Sequence, residues 1–301
     1  MEEKTEEKMG FFKKWYTYQK DRFPVGVYGL YIFCLVFAVF CYCNYMNKVE
    51  DIKYWLLIPM FVFSFLQFLM VRIVDEFKDF EEDSKYRPYR PVPRGLVTLK
   101  ELKVLFVICF LIQITIALTL NIRHIGLLIG FFVFFFMFCK DFFIKKYLDK
   151  HIIMTVAIDE LLVAFLALYI SSFVYPVNSM MWIILLVVYL VSWVVEIARK
   201  VRCKKDEEKG VKTYTSVLGI GKAVFILFIV ETLLALLQVN ILGKNHLPWI
   251  IIVYTVVDVI NILFAEKKSK KYAKLVELVA NVFIIIIYLS MGLLLVLKGN
   301  K

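Results

Sequence analysis

The sequence lacks the spacings of histidine and cysteine that metal sites usually have. Its three histidines, His124, His151 and His246, form no pair at i, i+4 spacing, so we assign a metal to none of them. The six cysteines fall mostly inside apolar runs and lack metal-type spacing, which favours ordinary apolar packing. They are Cys34, Cys41, Cys43, Cys109, Cys139 and Cys203.

Proline and glycine are also scarce, with 7 and 12 residues. The long apolar runs are therefore largely uninterrupted, whereas transporters more often break their membrane helices with these residues in mid-span. The first eight residues alternate acidic and basic side chains, so no cleavable signal peptide is visible. Hydrophobic residues make up 61% of the chain, against about 45–50% in soluble domains. This composition excludes an ordinary soluble protein.

Nine apolar runs are each long enough to cross the hydrocarbon core as a helix. Because a helix satisfies its own backbone in lipid, we expect an all-α integral membrane bundle of about nine transmembrane helices. The mixture of aromatic residues and lysines at 10–23 predicts a helix in the membrane interface, with a disordered tail as the alternative. We therefore divide the chain into an N-terminal interfacial segment (1–24), a transmembrane domain (25–297) and a C-terminal tail (298–301). The runs are 25–46, 55–74, 101–120, 124–139, 152–175, 178–198, 220–242, 247–265 and 274–297.

The basic residues alternate between the two sides of these spans. The N-terminal segment and the loops after spans two, four, six and eight hold 31 of the 37 lysines and arginines, and the other segments hold 6. By the positive-inside rule the richer side is cytoplasmic. We expect a multi-pass protein of the cell membrane, with the N-terminus inside and the C-terminus outside.

Span two continues into a stripe of carboxylates. Asp75, Asp79 and Asp83 are four residues apart, and Glu82 falls on nearly the same helix face. The stripe is about 12 Å long, given a rise of 1.5 Å per residue. Like charges at this spacing repel, and Mg²⁺ bridging carboxylates and substrate phosphates would relieve the repulsion. A solvated helix end is the alternative.

Three arginines and three prolines follow this stripe. The prolines favour a stiff, extended loop rather than further helix. Arginine forks beside a carboxylate–metal cluster suit a diphosphate. A cytoplasmic loop would also collect arginines, but it needs neither the prolines nor the acidic stripe. The arginines are Arg87, Arg90 and Arg94.

The pattern Asp75-x₃-Asp79-x₃-Asp83 followed by Arg87-Pro-x-Arg90-Pro-x-Pro resembles the first signature of the UbiA superfamily of membrane prenyltransferases. Asp75 stands where that family most often has asparagine, which preserves an oxygen ligand. The resemblance implies a UbiA-like, terpenoid-synthase-like helical arrangement. It also implies that the three aspartates bind metal and that nearby arginines bind diphosphate, namely Arg72, Arg87, Arg90 and Arg94.

The loop after span six resembles the second acidic motif of this superfamily. Glu196 stands at its first aspartate, Asp206 at a later one, and Lys200 where a second carboxylate is usual. The resemblance implies that Glu196 and Asp206 are catalytic metal ligands, while Lys200 contacts diphosphate as a point charge. Glu196 and Lys200 also have the spacing of a routine helix ion pair. Between the loops, Phe136-x₃-Lys140 resembles a Y-x-x-x-K element, which makes Lys140 a catalytic diphosphate contact or a membrane anchor.

The resemblance implies transfer of a prenyl group from a prenyl diphosphate to a hydrophobic, often aromatic or quinone-precursor-like acceptor, with Mg²⁺ as cofactor. Asp159 and Glu160, inside span five, either help to deprotonate that acceptor or are solvated near a span end, and Glu231 and Asp258 carry the same ambiguity. Two alternatives are a UbiA-type terpene cyclase and a non-enzymatic lipid- or isoprenoid-binding protein. We predict contact with the lipid bilayer, but no nucleic acid or protein partner.

Overall fold

A computed structural model describes residues 10–208 and 210–299 of the chain. The protein is 82% helical, without strands in the described residues. The helices are α1 (Phe11–Arg22), α2 (Val25–Met46), α3 (Leu57–Lys78), α4 (Phe80–Tyr86), α5 (Leu99–Leu120), α6 (Ile125–Cys139), α7 (Lys145–Leu148), α8 (Ile152–Asp159), α9 (Leu161–Ser171), α10 (Met181–Arg199), α11 (Tyr214–Leu218), α12 (Ile220–Leu242), α13 (Leu247–Lys267) and α14 (Lys270–Gly299).

Nine helical segments of the described chain are long and apolar enough to cross a membrane, which confirms the predicted all-α bundle. Span five departs from the continuous helix that the sequence suggested. It consists of α8 and α9, with Glu160 between them, and the Val163 amide bonds to the Glu160 carbonyl in a tighter i+3 turn. The break falls at the paired carboxylates Asp159 and Glu160.

The first and last spans pack along each other, so the bundle closes on itself. Gly292 of α14 allows this close approach, because a Cβ there would lie 2.6 Å from the Phe37 ring of α2. An aromatic cluster joins α3, α6 and α9, with the ring centroids of Phe63 and Tyr169 4.8 Å apart and those of Phe131 and Tyr169 5.9 Å apart. Aromatic pairs at these distances add to the apolar burial.

The N-terminal helix predicted at 10–23 is present as α1. Its Tyr18 is buried in a small core with residues of α3, α5 and the proline loop, and Lys14 pairs with Glu101 of α5 at 2.6 Å. Glu101 also completes a capping box with Thr98, which explains why α5 begins there. The helix is thus anchored to the loop after span two. Its location in the interface and the domain limits remain predictions, and residues 1–9, 300 and 301 lie outside the described chain.

Candidate active site

The acidic stripe of the first motif lies on one helical path. The Asp79 amide donates to the Asp75 carbonyl at 2.9 Å, and the Asp83 amide donates to the Asp79 carbonyl at 2.7 Å. Asp79 itself is the bend at which α3 ends and α4 begins. The four-residue spacing therefore keeps the three carboxylates on neighbouring positions of one face, as the sequence predicted.

The three aspartates nevertheless have different surroundings. Asp83 is 1% exposed, and it pairs with Arg87 at 2.7 Å and with Arg90 at 2.6 Å. These two arginines come from the proline loop, so Asp83 anchors that loop against α4. Its carboxylate is already neutralised by the chain itself, and the two arginines are partly neutralised by Asp83.

A second buried acid, Glu76, lies on the neighbouring face of α3. It pairs with Arg22 of α1 at 2.5 Å and with Arg72 at 2.7 Å, and it is 2% exposed. Glu76 was not among the residues predicted from the sequence, although its position four residues after Arg72 indicates a helix ion pair. The pair connects α1 to the start of the motif.

Asp75 and Asp79 are the carboxylates that remain available. Asp75 is half-buried, and its nearest ion-pair partner is the Arg72 guanidinium at 3.6 Å. Asp79 forms no ion pair or side-chain hydrogen bond within residues 10–208 and 210–299. Burial, together with the charges of Asp75 and Asp83, raises the pKa of Asp79 to about 6. A carboxyl that shares its surroundings with other acids in this way favours a cation.

At the end of α10, Glu196 contacts both Arg199 and Lys200 through its carboxylate. The Glu196–Lys200 pair has the ordinary helix geometry that the sequence allowed. The negative charge of Glu196 raises the pKa of Lys200, and Asp75 of the first motif contributes in the same direction. The two motifs are therefore within electrostatic range of each other, since Asp75 acts on both Arg199 and Lys200.

Asp206 has other partners. It accepts a hydrogen bond from the Cys203 thiol at 2.8 Å and pairs with Lys270 of α14 at 3.0 Å. These two contacts lower the pKa of Asp206. The next residue, Glu207, accepts hydrogen bonds from Thr213 at 2.7 Å and from Thr215 at 2.8 Å. These bonds fold the second loop, and the sequence analysis did not predict them.

The two loops touch where Gly210 meets Tyr86. Gly210 has a φ of +83°, and a Cβ there would lie 2.6 Å from the Tyr86 ring, so glycine is required on both counts. Tyr214 follows and is 2% exposed. Burial and then the charges of Glu196 and Glu160 raise the pKa of Tyr214 well above its usual range. The carboxylates of span five therefore lie near the same site.

The predicted Lys140 is the C-cap residue of α6, and its side chain forms no hydrogen bond or ion pair within the described chain. Lys78 of α3 has the specific contacts instead: it donates to the Phe138 carbonyl at 2.7 Å and pairs with Asp141 at 2.6 Å. It thereby holds a turn in which residues 141–143 all have positive φ. This conformation is unfavourable for residues other than glycine.

The remaining predicted arginine, Arg94, is at the edge of the site. Its nearest acid is Asp21 of α1 at 3.8 Å. In the described residues no three acids, histidines or cysteines already form a metal-binding group. Asp75 and Asp79 still fit a single Mg²⁺, which usually takes one or two carboxylates together with substrate phosphates. Glu196 and Asp206 each pair with basic side chains here, and their role as metal ligands stays a prediction.

Comparison with known proteins identifies the family of this chain. The sequence pattern of the UbiA prenyltransferase family matches residues 32–285, whereas no curated protein matches. The structure resembles that of a digeranylgeranylglyceryl phosphate synthase, with a TM-score of 0.62, 19% identity and coverage of 94% of this chain and 99% of that one. It also resembles the apo structure of a UbiA homologue from Aeropyrum pernix K1, with a TM-score of 0.59, 14% identity and coverage of 89% and 97%. The chain is a multi-pass membrane protein that belongs to the UbiA prenyltransferase family.

Proposed function

We propose that the protein transfers a prenyl group from a prenyl diphosphate to a hydrophobic acceptor, and that this activity requires Mg²⁺. One observation carries the proposal: Asp79 is a half-buried carboxyl that forms no ion pair in the described chain, and its neighbour Asp75 interacts electrostatically with the basic end of α10. An acidic group that lacks a cation, next to lysine and arginine, is the arrangement that a metal-bound diphosphate needs.

Asp75 and Asp79 would hold the metal ion. When bound, Mg²⁺ would neutralise negative charge on the diphosphate as it leaves. Basic side chains of the protein would stabilise the remaining negative charge. Arg199 and Lys200 are both bonded to Glu196, so Glu196 orients them toward the space beside Asp75. When the bond between the allylic carbon and the diphosphate oxygen breaks, its electron pair goes to that oxygen, and these cations stabilise the charge.

Arg87 and Arg90 have a different role in this proposal. Because both are bound to buried Asp83, they fix the proline loop over the site. Their remaining N–H groups are the ones that can turn to a phosphate. The positive charge left on the prenyl carbon requires a dry, apolar chamber.

The acceptor must lose a proton when it takes the prenyl group. Asp159 and Glu160 lie at the break in span five, where their charges reach Tyr214 at the site. We assign this pair of carboxylates as the base that accepts the proton. The acceptor is then a hydroxyl or activated ring carbon with a removable proton, which suits an aromatic or quinone-precursor-like molecule.

Purified protein in detergent, supplied with a radiolabelled prenyl diphosphate, tests the proposal. Diphosphate release should require Mg²⁺ and should stop with EDTA. Asp79→Ala should abolish release without loss of fold, while Glu81→Ala is a matched control because Glu81 is an exposed acid on the same turn of α4. Full Mg²⁺-dependent turnover by Asp79→Ala would contradict the assignment of Asp79 as a metal ligand. Hydrocarbon release without any acceptor would identify a cyclase instead, and binding without turnover would identify a carrier.

A further inference from the structure

The turn between α13 and α14 is a dense cluster of lysines that belongs to neither motif. Residues 267–274 contain five lysines and no acid, whereas the other basic segments on the same side of the spans all mix lysines and arginines with acids. All five lysines are exposed, so the segment is a concentrated positive surface. We call it the lysine turn, and its lysines are Lys267, Lys268, Lys270, Lys271 and Lys274.

Ion pairs fix the lysine turn beside the second motif loop but leave most of its charge available. Lys270 pairs with Asp206 at 3.0 Å, and Arg202 of the same loop approaches Glu277 of α14 at 3.9 Å. The other four lysines form no ion pair or side-chain hydrogen bond within the described chain. Four ammonium groups at a fixed place are therefore available to an anionic ligand.

The backbone of the turn is unusual at Lys268, which ends α13. Its φ of +47° and ψ of +41° place it in the left-handed region, and its amide donates to the Phe264 carbonyl at 2.9 Å. Glycine and asparagine are the usual residues at such a helix end, because a larger side chain costs backbone energy there. An exposed lysine that takes this position without a partner in the described chain favours a role for its charge.

The length of α14 places these lysines at the depth of the lipid headgroups. The helix has 30 residues and is therefore about 45 Å long, whereas the hydrocarbon core is about 30 Å thick. Its apolar run begins only after the first turn, so that turn extends beyond the hydrocarbon. Tyr272, which is half-buried on the same turn, is an aromatic residue of the kind enriched at the membrane interface.

We propose that the lysine turn binds the phosphate headgroup of an anionic phospholipid in the adjoining leaflet. Lys267, Lys268, Lys271 and Lys274 supply the N–H donors, while Lys270 stays on Asp206 and holds the turn in place. Clusters of four to eight basic residues next to a membrane helix are attracted to anionic lipids in this way. The site uses none of the motif carboxylates, so it does not depend on the proposed prenyl transfer.

Native mass spectrometry of the full chain in a neutral detergent tests this site with dioleoylphosphatidylglycerol and its neutral counterpart, dioleoylphosphatidylcholine. The parent should bind phosphatidylglycerol about tenfold more tightly or better, because each lysine near an anionic headgroup contributes about fivefold in affinity. A triple substitution in the turn should weaken phosphatidylglycerol binding by about tenfold or more. Its Tm without lipid reports whether it folds. The substitutions, all at exposed positions, are Lys267→Gln, Lys271→Gln and Lys274→Gln.

The matched control removes three exposed lysines from the loop after span four, which lies on the same side of the spans. It should keep the phosphatidylglycerol affinity of the parent, because those lysines share their loop with Asp141 and Asp149. Equal retention of the two lipids by the parent, unchanged binding by the turn variant, or an equal loss in the control overturns the proposal. Displacement of the lipid by soluble glycerol phosphate also overturns it. The control substitutions are Lys145→Gln, Lys146→Gln and Lys150→Gln.

Discussion

Asp83 and Asp79 belong to the same acidic stripe, yet their side chains have opposite surroundings. Asp83 is enclosed by the Arg87 and Arg90 guanidinium groups at 2.7 and 2.6 Å. Asp79 has no ion pair in the described chain, and burial and the neighbouring acids outweigh the arginines that act on it. A buried ion pair that loses one partner leaves an uncompensated charge. Substitution of Asp83 should therefore lower stability, whereas substitution of Asp79 should abolish Mg²⁺-dependent diphosphate release.

Asp83→Asn should lower the free energy of unfolding by about 3–5 kcal/mol, because two arginines lose their buried counter-charge. Thermal unfolding in detergent measures this loss. Glu81→Gln, at an exposed position of the same helix, should stay within about 0.5 kcal/mol of the parent. If Asp83→Asn kept the stability of the parent and lost only its Mg²⁺-dependent activity, Asp83 would be a metal ligand rather than an anchor of the proline loop.

The raised pKa of Asp79 predicts a pH effect on the metal-free protein. An acid whose pKa is about 6 when folded and 3.8 when unfolded binds its proton more tightly in the fold, so ionisation opposes folding. Stability should fall as pH rises from about 4 to 6 and then level off. Between pH 5 and 7.5 this group should contribute a loss of about 1 kcal/mol. Comparing thermal unfolding of the parent and Asp79→Asn in EDTA isolates it, and identical pH profiles would contradict the assignment.

At the scale of elements, the site depends on contacts between loops rather than on one helix. Lys78 of α3 holds the left-handed turn after α6, and Arg22 of α1 reaches Glu76. The two motif loops meet where Gly210 packs against the Tyr86 ring. The two motif loops can only converge if this point stays free of a side chain.

Gly210→Ala should therefore impair both folding and activity. Gly219→Ala is the matched control: it has almost the same positive φ, +82°, but open space around its Cβ position. Because Gly219 has a ψ of 156°, in a region almost exclusive to glycine, the control should lose only this backbone contribution of about 1–3 kcal/mol. Gly210→Ala should show a larger fall in Tm and a raised KM for prenyl diphosphate. Equal effects of the two substitutions would show that the Tyr86 contact does not hold the loops together.

For the whole molecule, nine spans place both motif loops on one face of the membrane. We propose that this face is cytoplasmic, because 31 of the 37 basic residues lie on that side. In sealed right-side-out vesicles, an impermeant maleimide should label Lys48→Cys but not Lys146→Cys, both of which are at exposed positions. The unsubstituted chain gives the background from native cysteines. Labelling of Lys146→Cys alone would reverse the orientation.

The sequence alone determined the class, the spans and the family of this protein. Each of those features is local or periodic. An apolar run long enough to cross the bilayer forms a helix whatever it packs against. Asp75, Asp79 and Asp83 share a face because they are spaced four residues apart on a helix. Residues near a bend or a charged end were harder to place. The break of span five at Glu160 follows from its surroundings rather than from any glycine or proline.

Only the tertiary structure decided which charges are free and which are paired. Arg87 and Arg90 could be diphosphate ligands by sequence, but folding of the proline loop brings them onto Asp83. Asp206 pairs with Lys270, 64 residues further along the chain, and Glu231 receives Asn261 from the next helix. Such pairings join segments that are distant in sequence, and their energies depend on burial. A linear pattern carries neither quantity, so the availability of Asp79 became visible only in the fold.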